Sequence, residues 1–309
     1  MIGRRWSAIA ALALAACASA PRVAPENLPR FVPLAGPAPR VALVLGSGGP
    51  RGFAHVGVVR ALEEAGVHPD LVVGSSVGAM VGALYAAGLD ARSLERIAYG
   101  LDRLQFLDWR MFLDEPGSGV PVERFVDRWV AGRPIESFPT RFVVVATRAS
   151  DGRLALFDQG DAGLAVRASA ATPGEMQPVS IGGERYVDGD EASPVPIRVA
   201  RELGARVVIA VDVSAYARET PPGVPPEWIR KDARRARQVA AEAPQADVLL
   251  HPDIGYYAGS DEAYRHRVIA EAWRYTHARI PEIRSALARA GVLPQNRSTA
   301  RTPSGDASR

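Results

Sequence analysis

Two strand–turn–helix units constrain the fold of this chain more than any other feature. In each unit a short apolar run ends in a turn containing glycine, and a helical pattern of small and apolar residues follows directly, over 40–65 and over 71–87. Continuous apolar runs of this kind are typical of parallel strands buried on both faces. Further apolar runs lie at 142–147, 154–157, 206–212 and 248–251, and helical patterns lie between the runs at 91–104, 121–131, 161–170, 195–203, 228–241 and 261–290. The alternation predicts an α/β fold, a three-layer sandwich around a mainly parallel central sheet.

The first residues predict an exported protein. Arg4 and Arg5 precede an apolar run over 8–16 that ends at Cys17. The run is too short to span a membrane, which favours a signal peptide over residues 1–16. The segment Leu14-Ala15-Ala16-Cys17 resembles a bacterial lipobox, which implies cleavage before Cys17 and acylation of its thiol. An ordinary cleaved signal peptide and a buried helix are the alternatives.

Composition limits the remaining organisation. Residues 17–38 are rich in proline and alanine and are predicted to form a tether, residues 39–294 one large domain, and the polar residues 295–309 a disordered tail. Cys17 is the only cysteine, so neither an intrachain disulfide nor a cysteine zinc site is possible. Removal of residues 1–16 lowers the net charge from +3 to +1, which is no electrostatic footprint for nucleic acid.

The segment Gly74-Ser75-Ser76-Val77-Gly78 places a serine between an apolar strand and a helix. A sharp turn of this kind lifts the serine hydroxyl clear of the sheet, and small residues at both ends allow the close approach. The following helix N-terminus stabilises negative charge that forms nearby. The pattern indicates a nucleophile at the central position, Ser76, although an ordinary turn is the simpler alternative.

The loop from Gly46 to Gly52, Gly46-Ser47-Gly48-Gly49-Pro50-Arg51-Gly52, offers backbone N–H groups to an anion. Dinucleotide-binding spacing fails because Arg51 stands where a third glycine is required, and no Gly-Lys-Ser/Thr closes a P-loop. The loop therefore favours an oxyanion hole over a phosphate site, with a purely structural turn as the alternative.

A third segment, Asp188-Gly189, follows the short strand 185–187 and taken alone predicts only a turn. No histidine or carboxylate spacing typical of a metal site occurs, and no cofactor is predicted. A conventional triad would require a histidine after Asp188. The best candidate is His251, although His55 lies closer in sequence to the glycine loop.

Together these segments resemble the patatin-like phospholipase family over residues 40–290. The likeness rests on the glycine loop, the serine turn, Asp188-Gly189, and the flanking segments 53–66, 168–173 and 246–255. The resemblance implies that residues 39–294 form a patatin-like hydrolase domain with a Ser-Asp dyad, in which Ser76 is the nucleophile and Asp188 its base. It also implies an oxyanion hole and a set of supporting glycines: the hole is formed by Gly48, Gly49 and Arg51, and the supporting residues are Gly46, Gly52, Gly74, Gly78 and Gly189.

Three departures from the family pattern stand out. Pro50 has no N–H to donate. Asp190 replaces the glycine or alanine of the family, and its charge either raises the pKa of Asp188 or holds that carboxylate in a wrong position. The expectation is instead that the Asp190 side chain points to solvent. Residues 175–177 are more polar than usual and are expected to alter the loop that faces substrate.

Two other stretches have open interpretations. The aromatic residues between Leu104 and Trp129 indicate a packed helical cap or a mobile lid that touches lipid. The basic residues over 228–237 indicate a helix that lies on anionic headgroups or a solvated helix face.

The predicted function is hydrolysis of acyl esters of phospholipids or lysophospholipids at a membrane surface. A membrane-tethered interaction protein without useful catalysis, an acyl transferase and a thioesterase are the alternatives. The lipobox predicts anchoring through lipidated Cys17, and Ala18 after it favours the outer membrane, facing the periplasm of a two-membrane bacterium.

Overall fold

The computed structural model describes residues 23–33, 36–102, 106, 108, 110, 115–216, 220–259 and 261–292. The predicted signal peptide, Cys17, most of the predicted tether and the predicted tail lie outside these residues. Among the described residues, no helix is both long enough and apolar enough to cross a membrane.

Eight strands and eight α-helices make up the described fold. The strands are β1 (Val41–Leu45), β2 (Leu71–Ser75), β3 (Arg141–Arg148), β4 (Leu154–Phe157), β5 (Val179–Ile181), β6 (Glu184–Val187), β7 (Val207–Val211) and β8 (Val248–Leu250). The helices are α1 (Phe53–Glu64), α2 (Val77–Ala86), α3 (Ala91–Tyr99), α4 (Val120–Val130), α5 (Ala162–Ser169), α6 (Ile197–Glu202), α7 (Pro226–Glu242) and α8 (Glu262–Arg289). Short 3₁₀ turns lie at Pro25–Asn27, Gly49–Gly52, Ile135–Ser137, Gly189–Glu191 and Ala243–Gln245.

All eight strands form one mixed sheet in the order β5-β6-β3-β2-β1-β7-β8, with β4 also paired to β3. The pairs among β3, β2, β1, β7 and β8 are parallel, whereas β4, β5 and β6 pair antiparallel. The chain leaves β1 on one side toward β2 and returns on the other at β7. Ligands in such sheets bind beyond the carboxyl ends of the strands, where the order reverses.

Alternate residues of the central strands pack into two separate cores. Leu43 of β1 joins Ile269 of α8 in a core that also contains α1 to α5. Val44, the next residue, faces the opposite side and joins Ile197 of α6 and Val239 of α7. The period of two along each strand therefore produces helix layers on both faces, which confirms the predicted three-layer α/β sandwich.

The observed elements follow the predicted ones closely, with one strand missed. Each predicted strand is present within about two residues of its bounds. Strand β5 was not predicted, because three residues are too few to show a period. It forms by antiparallel pairing with β6 in a hairpin.

Candidate active site

Ser76 occupies the turn between β2 and α2 in a strained backbone conformation. Its φ of 55° and ψ of −123° lie outside the backbone regions that non-glycine residues ordinarily adopt. Among the described non-glycine residues, only Ala131 also has a positive φ. A Cβ at Gly78 would lie 2.1 Å from the Leu45 carbonyl oxygen, so only glycine allows α2 to approach β1 this closely. Strain of this kind persists where surrounding packing enforces it, commonly at functional sites.

The fold brings Ser76 and Asp188, which lie 112 residues apart in the sequence, into direct contact. Ser76 Oγ donates a hydrogen bond of 3.0 Å to Asp188 Oδ2, which also accepts one of 2.8 Å from Thr172 Oγ1. The backbone N–H of Asp190 donates to Asp188 Oδ1 at 2.9 Å. Both Ser76 and Asp188 are buried. The carboxylate therefore has a fixed orientation, with one oxygen directed at the serine hydroxyl.

The surroundings of Asp188 make it a stronger base than an ordinary aspartate. Burial, followed by the negative charge of Asp190, raises the pKa of Asp188 to about 6, against the hydrogen bonds donated by Asp190, Thr172 and Ser76. A base with a pKa close to neutrality accepts a proton more readily and is still ionised at pH 7.

Gly189 allows the turn after Asp188 to pack closely against strands β2 and β3. A Cβ at this position would lie 2.4 Å from the Val145 carbonyl oxygen and 2.6 Å from Ser75 Oγ. The adjacent Thr147 hydroxyl donates to the Asp188 carbonyl at 2.8 Å. Asp188-Gly189 is thus a turn, as its composition suggests, but one that holds a buried carboxylate against the serine.

The glycine loop begins at the end of β1 and turns into α1. Among the described residues, the N–H groups of Gly48 and Gly49 have no hydrogen-bond partner, and Gly49, with φ of 55°, lines the same cavity as Ser76. Within the described part of the chain neither N–H is engaged, and Gly49 lies at the cavity beside Ser76. The N–H of Arg51, predicted as a third donor, donates to the Gly48 carbonyl at 3.2 Å within the 3₁₀ turn.

The Arg51 side chain fixes the loop from behind. It is buried, and its Nη2 donates to the Gly255 carbonyl at 2.9 Å in the segment after β8. Burial lowers the pKa of Arg51 from its ordinary high value without discharging it at neutral pH. The Arg51 side chain therefore ties the glycine loop to the segment after β8.

Asp190 does not point to solvent, which makes that expectation wrong. Its residue exposure is 3%, and its carboxylate accepts hydrogen bonds from the Ser47 hydroxyl and from Arg235 Nε, the latter at 2.8 Å. Arg234 Nη2 lies 3.3 Å from the other oxygen. Burial would raise the pKa of Asp190, but Arg235 and the Ser47 hydroxyl outweigh burial and hold the pKa below its ordinary value.

An apolar cavity of about 620 Å³ opens beside Ser76. Its wall comes mainly from apolar residues of α1 to α4, and Pro50, Ser76, Thr172, Glu175 and Met176 also line it. Members of the apolar wall include Phe53, Val56, Met80, Val81, Leu84, Leu94, Ile97, Leu101, Phe106, Val122 and Phe125. The polar loop over 175–177 therefore reaches the cavity, as the sequence indicated.

The aromatic stretch after Leu104 is only partly described. Phe106 and Phe125 lie with their ring centroids 5.1 Å apart and line the cavity, in agreement with a packed cap at these two residues. Trp129 is 40% exposed and takes no part in the lining. The remaining large apolar residues of the stretch lie outside the described residues: Leu104, Leu107, Trp109, Met111, Phe112 and Leu113.

Neither candidate histidine is bonded to Ser76. His251 Nε2 contacts the Ser214 carbonyl at 3.0 Å, and Nδ1 lies 3.6 Å from Asp212. The fully buried His55 contacts the Gly46 carbonyl at 2.8 Å, and burial lowers its pKa to about 4. His55 is thus a neutral support of the glycine loop. The geometry favours a dyad over a triad.

Ser169 is a site residue that the sequence analysis did not identify. It is fully buried, accepts a hydrogen bond of 2.8 Å from the Ser76 N–H, and donates one of 2.6 Å to the Val145 carbonyl. The only indication in the sequence was its place in the family-like segment 168–173. Within the part of the chain that the structure describes, no group of three or more metal-ligating side chains stands close enough to hold an ion.

Similarity to known proteins extends across this site. The family model described as patatin-like phospholipase matches residues 43–201. An uncharacterised NTE family protein of Mycobacterium tuberculosis is 35% identical over 206 residues, which make up 63% of this chain and 56% of the relative. Lysophospholipase NTE1 of Coccidioides immitis is 35% identical over 189 residues, which make up 59% of this chain and 12% of the relative.

This chain thus spans about half of the mycobacterial relative and a small part of the fungal one. Among solved structures, VipD from Legionella pneumophila shares the fold with a TM-score of 0.51 at 14% identity, covering 87% of this chain and 72% of its own. The family model covers the glycine loop, the serine turn and Asp188. This chain belongs to the patatin-like phospholipase family.

Proposed function

We propose that this protein is a lipid acyl hydrolase that uses Ser76 and Asp188 to cleave acyl esters of phospholipids or lysophospholipids. The observation that carries the proposal is the 3.0 Å hydrogen bond between a strained serine and a buried carboxylate, at the wall of an apolar cavity. Family membership and the lysophospholipase name of the fungal relative support a lipid substrate.

In the first half of the reaction, Ser76 Oγ attacks the ester carbonyl carbon and its proton passes to Asp188 Oδ2. The N–H groups of Gly48 and Gly49 receive the negative charge on the carbonyl oxygen, and loss of one such donor typically removes about 2.7–4 kcal/mol of transition-state stabilisation. The tetrahedral intermediate then expels the alcohol, which takes the proton from Asp188 and leaves an acyl group on Ser76.

In the second half, water attacks the acyl-serine carbonyl and gives a proton to Asp188. The intermediate collapses, the fatty acid leaves, and the proton returns to Ser76 Oγ. Asp188 suits both steps because its raised pKa of about 6 keeps it ionised at neutral pH while making it more basic than a solvated aspartate.

The cavity supplies the specificity for an acyl chain. Its wall is apolar over most of its extent, and each methylene transferred from water to such a surface contributes about 0.8 kcal/mol. Ser76 lies on this wall, so a chain bound in the cavity presents its ester to the hydroxyl. The polar headgroup then remains outside, toward the rim.

Contact with a membrane is proposed from the surface at the same edge of the sheet. Helix α7 begins after the carboxyl end of β7, and Tyr256 Oη donates to Asp232 of α7 at 2.8 Å. Three large apolar side chains are exposed here: Trp228 at 52%, Ile229 at 45% and Tyr257 at 57%. With Arg230 and Lys231 beside them, they have the composition of an interfacial surface. Acylated Cys17 would hold this surface at the periplasmic face of the outer membrane.

The decisive experiment treats the full-length protein, extracted in mild detergent, with a fluorophosphonate probe and locates the adduct by mass spectrometry. We expect an adduct on Ser76 in wild type and none in Ser76→Ala or Asp188→Asn. Ser180→Ala, on the exposed face of β5, is the matched control and should label like wild type. A folded wild-type protein that neither labels nor turns over short acyl esters would instead support the non-catalytic tethered protein.

The substrate is tested with purified lipids. Fatty acid release from phosphatidylcholine, phosphatidylethanolamine and their lysophospholipids should depend on Ser76 and should increase with acyl length until the cavity is filled. Addition of an alcohol acceptor distinguishes hydrolysis from acyl transfer, since a transferase would form a new ester in preference to free fatty acid.

A further inference from the structure

The buried carboxylate of Asp190 joins three separate elements around the proposed dyad. It accepts from Ser47 in the glycine loop and from Arg235 of α7, while the backbone of the same residue donates to Asp188. Ser47 is itself 1% exposed, and its N–H donates to the Pro194 carbonyl at 2.8 Å. A single side chain thus connects the loop that would hold the oxyanion with the turn that carries the base.

Arg235 makes burial of this charge possible. Its side chain is 12% exposed and its Nε lies 2.8 Å from Asp190 Oδ1. A buried carboxylate without a cation would take up a proton, whereas a well-paired one stays charged. Arg234 contributes less, since it lies 3.3 Å from Asp190 and pairs mainly with Glu191. Asp190 is therefore ionised beside the base.

Water screens the interaction between Asp190 and Asp188 only weakly, because both residues are buried. Asp190 is the charged neighbour that adds to burial in raising the pKa of Asp188. The other charged groups here face Asp190 or Arg235: Lys231 lies near Asp190, and Asp212 and Asp232 face Arg235 from the end of β7 and from α7. Around Asp188 itself, Thr172 and Ser76 are neutral donors.

We propose that Asp190 is a positioning residue that holds the glycine loop in register with the base and places a fixed negative charge beside Asp188, with Arg235 as its counter-ion. This inference rests on the proposed function of Ser76 and Asp188. The hydrogen bond from the Ser47 hydroxyl to Asp190 sets the position of Gly48 and Gly49. The fixed negative charge of Asp190 favours proton transfer from Ser76 to Asp188.

The test is the pH profile of kcat/KM between about pH 4 and pH 9, with p-nitrophenyl butyrate as substrate and product measured after quenching. Wild type should reach half its plateau near pH 6. Asp190→Asn keeps an acceptor for Ser47 but removes the charge, so half-plateau should move to lower pH and the plateau should fall about threefold to tenfold. Asp190→Ala also releases the loop, and its plateau should fall about 10- to 100-fold.

Controls separate positioning from general destabilisation. Asp190→Asn/Arg235→Gln removes both members of the pair, so it leaves neither charge of the pair buried without the other. Its half-plateau should also move to lower pH, but by less than in Asp190→Asn, because the positive charge of Arg235 is lost together with the negative charge of Asp190. Glu191→Gln removes only the negative charge that pairs with Arg234, and it should match wild type in both half-plateau pH and plateau. Melting curves confirm that each variant is folded.

The outcomes distinguish this inference from the proposed function. Profiles of Asp190→Asn and of the double variant that superimpose on wild type, while Ser76→Ala is inactive, would overturn the role of Asp190 alone. A loss of activity in Asp190→Asn with an unchanged half-plateau pH would refute the electrostatic part of that role. Full activity in Ser76→Ala would overturn the proposed function itself.

Discussion

Replacement of Ser169 by alanine tests whether the strained conformation of Ser76 is enforced by one hydroxyl. Ser169 Oγ accepts from the Ser76 N–H at 2.8 Å and donates to the Val145 carbonyl at 2.6 Å, and the residue is fully buried. Ser169→Ala creates little empty space but removes the acceptor that the Ser76 N–H requires. No water reaches a fully buried position easily, so the N–H loses its partner.

The expected magnitude follows from these two bonds. A buried donor left without a partner destabilises the folded state by about 1–3 kcal/mol, and loss of the second hydrogen bond adds about 1 kcal/mol. The free energy of unfolding should therefore fall by about 2–4 kcal/mol. Because the strained φ and ψ of Ser76 store about 1–3 kcal/mol, the turn relaxes once this restraint is lost, and Ser76 Oγ moves away from Asp188.

Two measurements on one preparation check this reasoning. Urea denaturation gives the free energy of unfolding, and the rate of fluorophosphonate labelling reports the geometry of Ser76. We expect labelling to slow by about 10- to 100-fold. The exposed Ser180→Ala should change unfolding by less than about 0.5 kcal/mol and leave labelling unchanged. A Ser169→Ala protein with wild-type stability and labelling would refute the claim that this hydroxyl restrains Ser76.

Three further predictions concern the base, a buried ion pair and the proposed membrane surface. Asp188→Asn should abolish labelling yet raise Tm at about pH 8. The pKa of Asp188 is higher in the folded state than in the unfolded state, so ionisation of this carboxyl removes stability as pH rises from about 4 to about 6. An unchanged or lower Tm would contradict this. Arg167 pairs at 2.8 Å with the fully buried Glu123, so Arg167→Met leaves that carboxylate without its cation. The free energy of unfolding, measured by urea denaturation, should fall by about 3–5 kcal/mol and should recover in part in Glu123→Gln/Arg167→Met. The membrane surface is tested in full-length protein that carries Cys17→Ser, where Trp228→Ala/Ile229→Ala should weaken co-sedimentation with phosphatidylglycerol vesicles about tenfold. Trp129→Ala removes another exposed tryptophan outside α7 and should leave co-sedimentation unchanged. Equal effects of the two variants would exclude α7 as the contact.

Much of the fold could be predicted because local and global preferences agree. The apolar runs that became β1, β2, β3 and β7 are long enough to show a strand pattern, and glycines mark the ends of β1 and β2 at Gly46 and Gly74. The three-residue β5 could not be found, since its pairing with β6 is what makes it a strand. The position of Ser76 could be inferred from its strand-turn-helix motif. Asp188 could be singled out only through the resemblance of the three segments taken together, since Asp-Gly alone indicates an ordinary turn.

The sequence by itself determined the order of strands and helices, the place of a serine in a strained turn, and the glycines that make such turns possible. Only the tertiary structure decided how side chains far apart in the chain meet. Asp190 is buried because Ser47 and Arg235 converge on it from other elements, and Arg51 turns its N–H inward because the 3₁₀ turn closes on Gly48. Ser169 supports Ser76 across 93 residues of sequence. Hydrogen bonding and burial depend on what packs nearby, and no local pattern records which distant residue that will be.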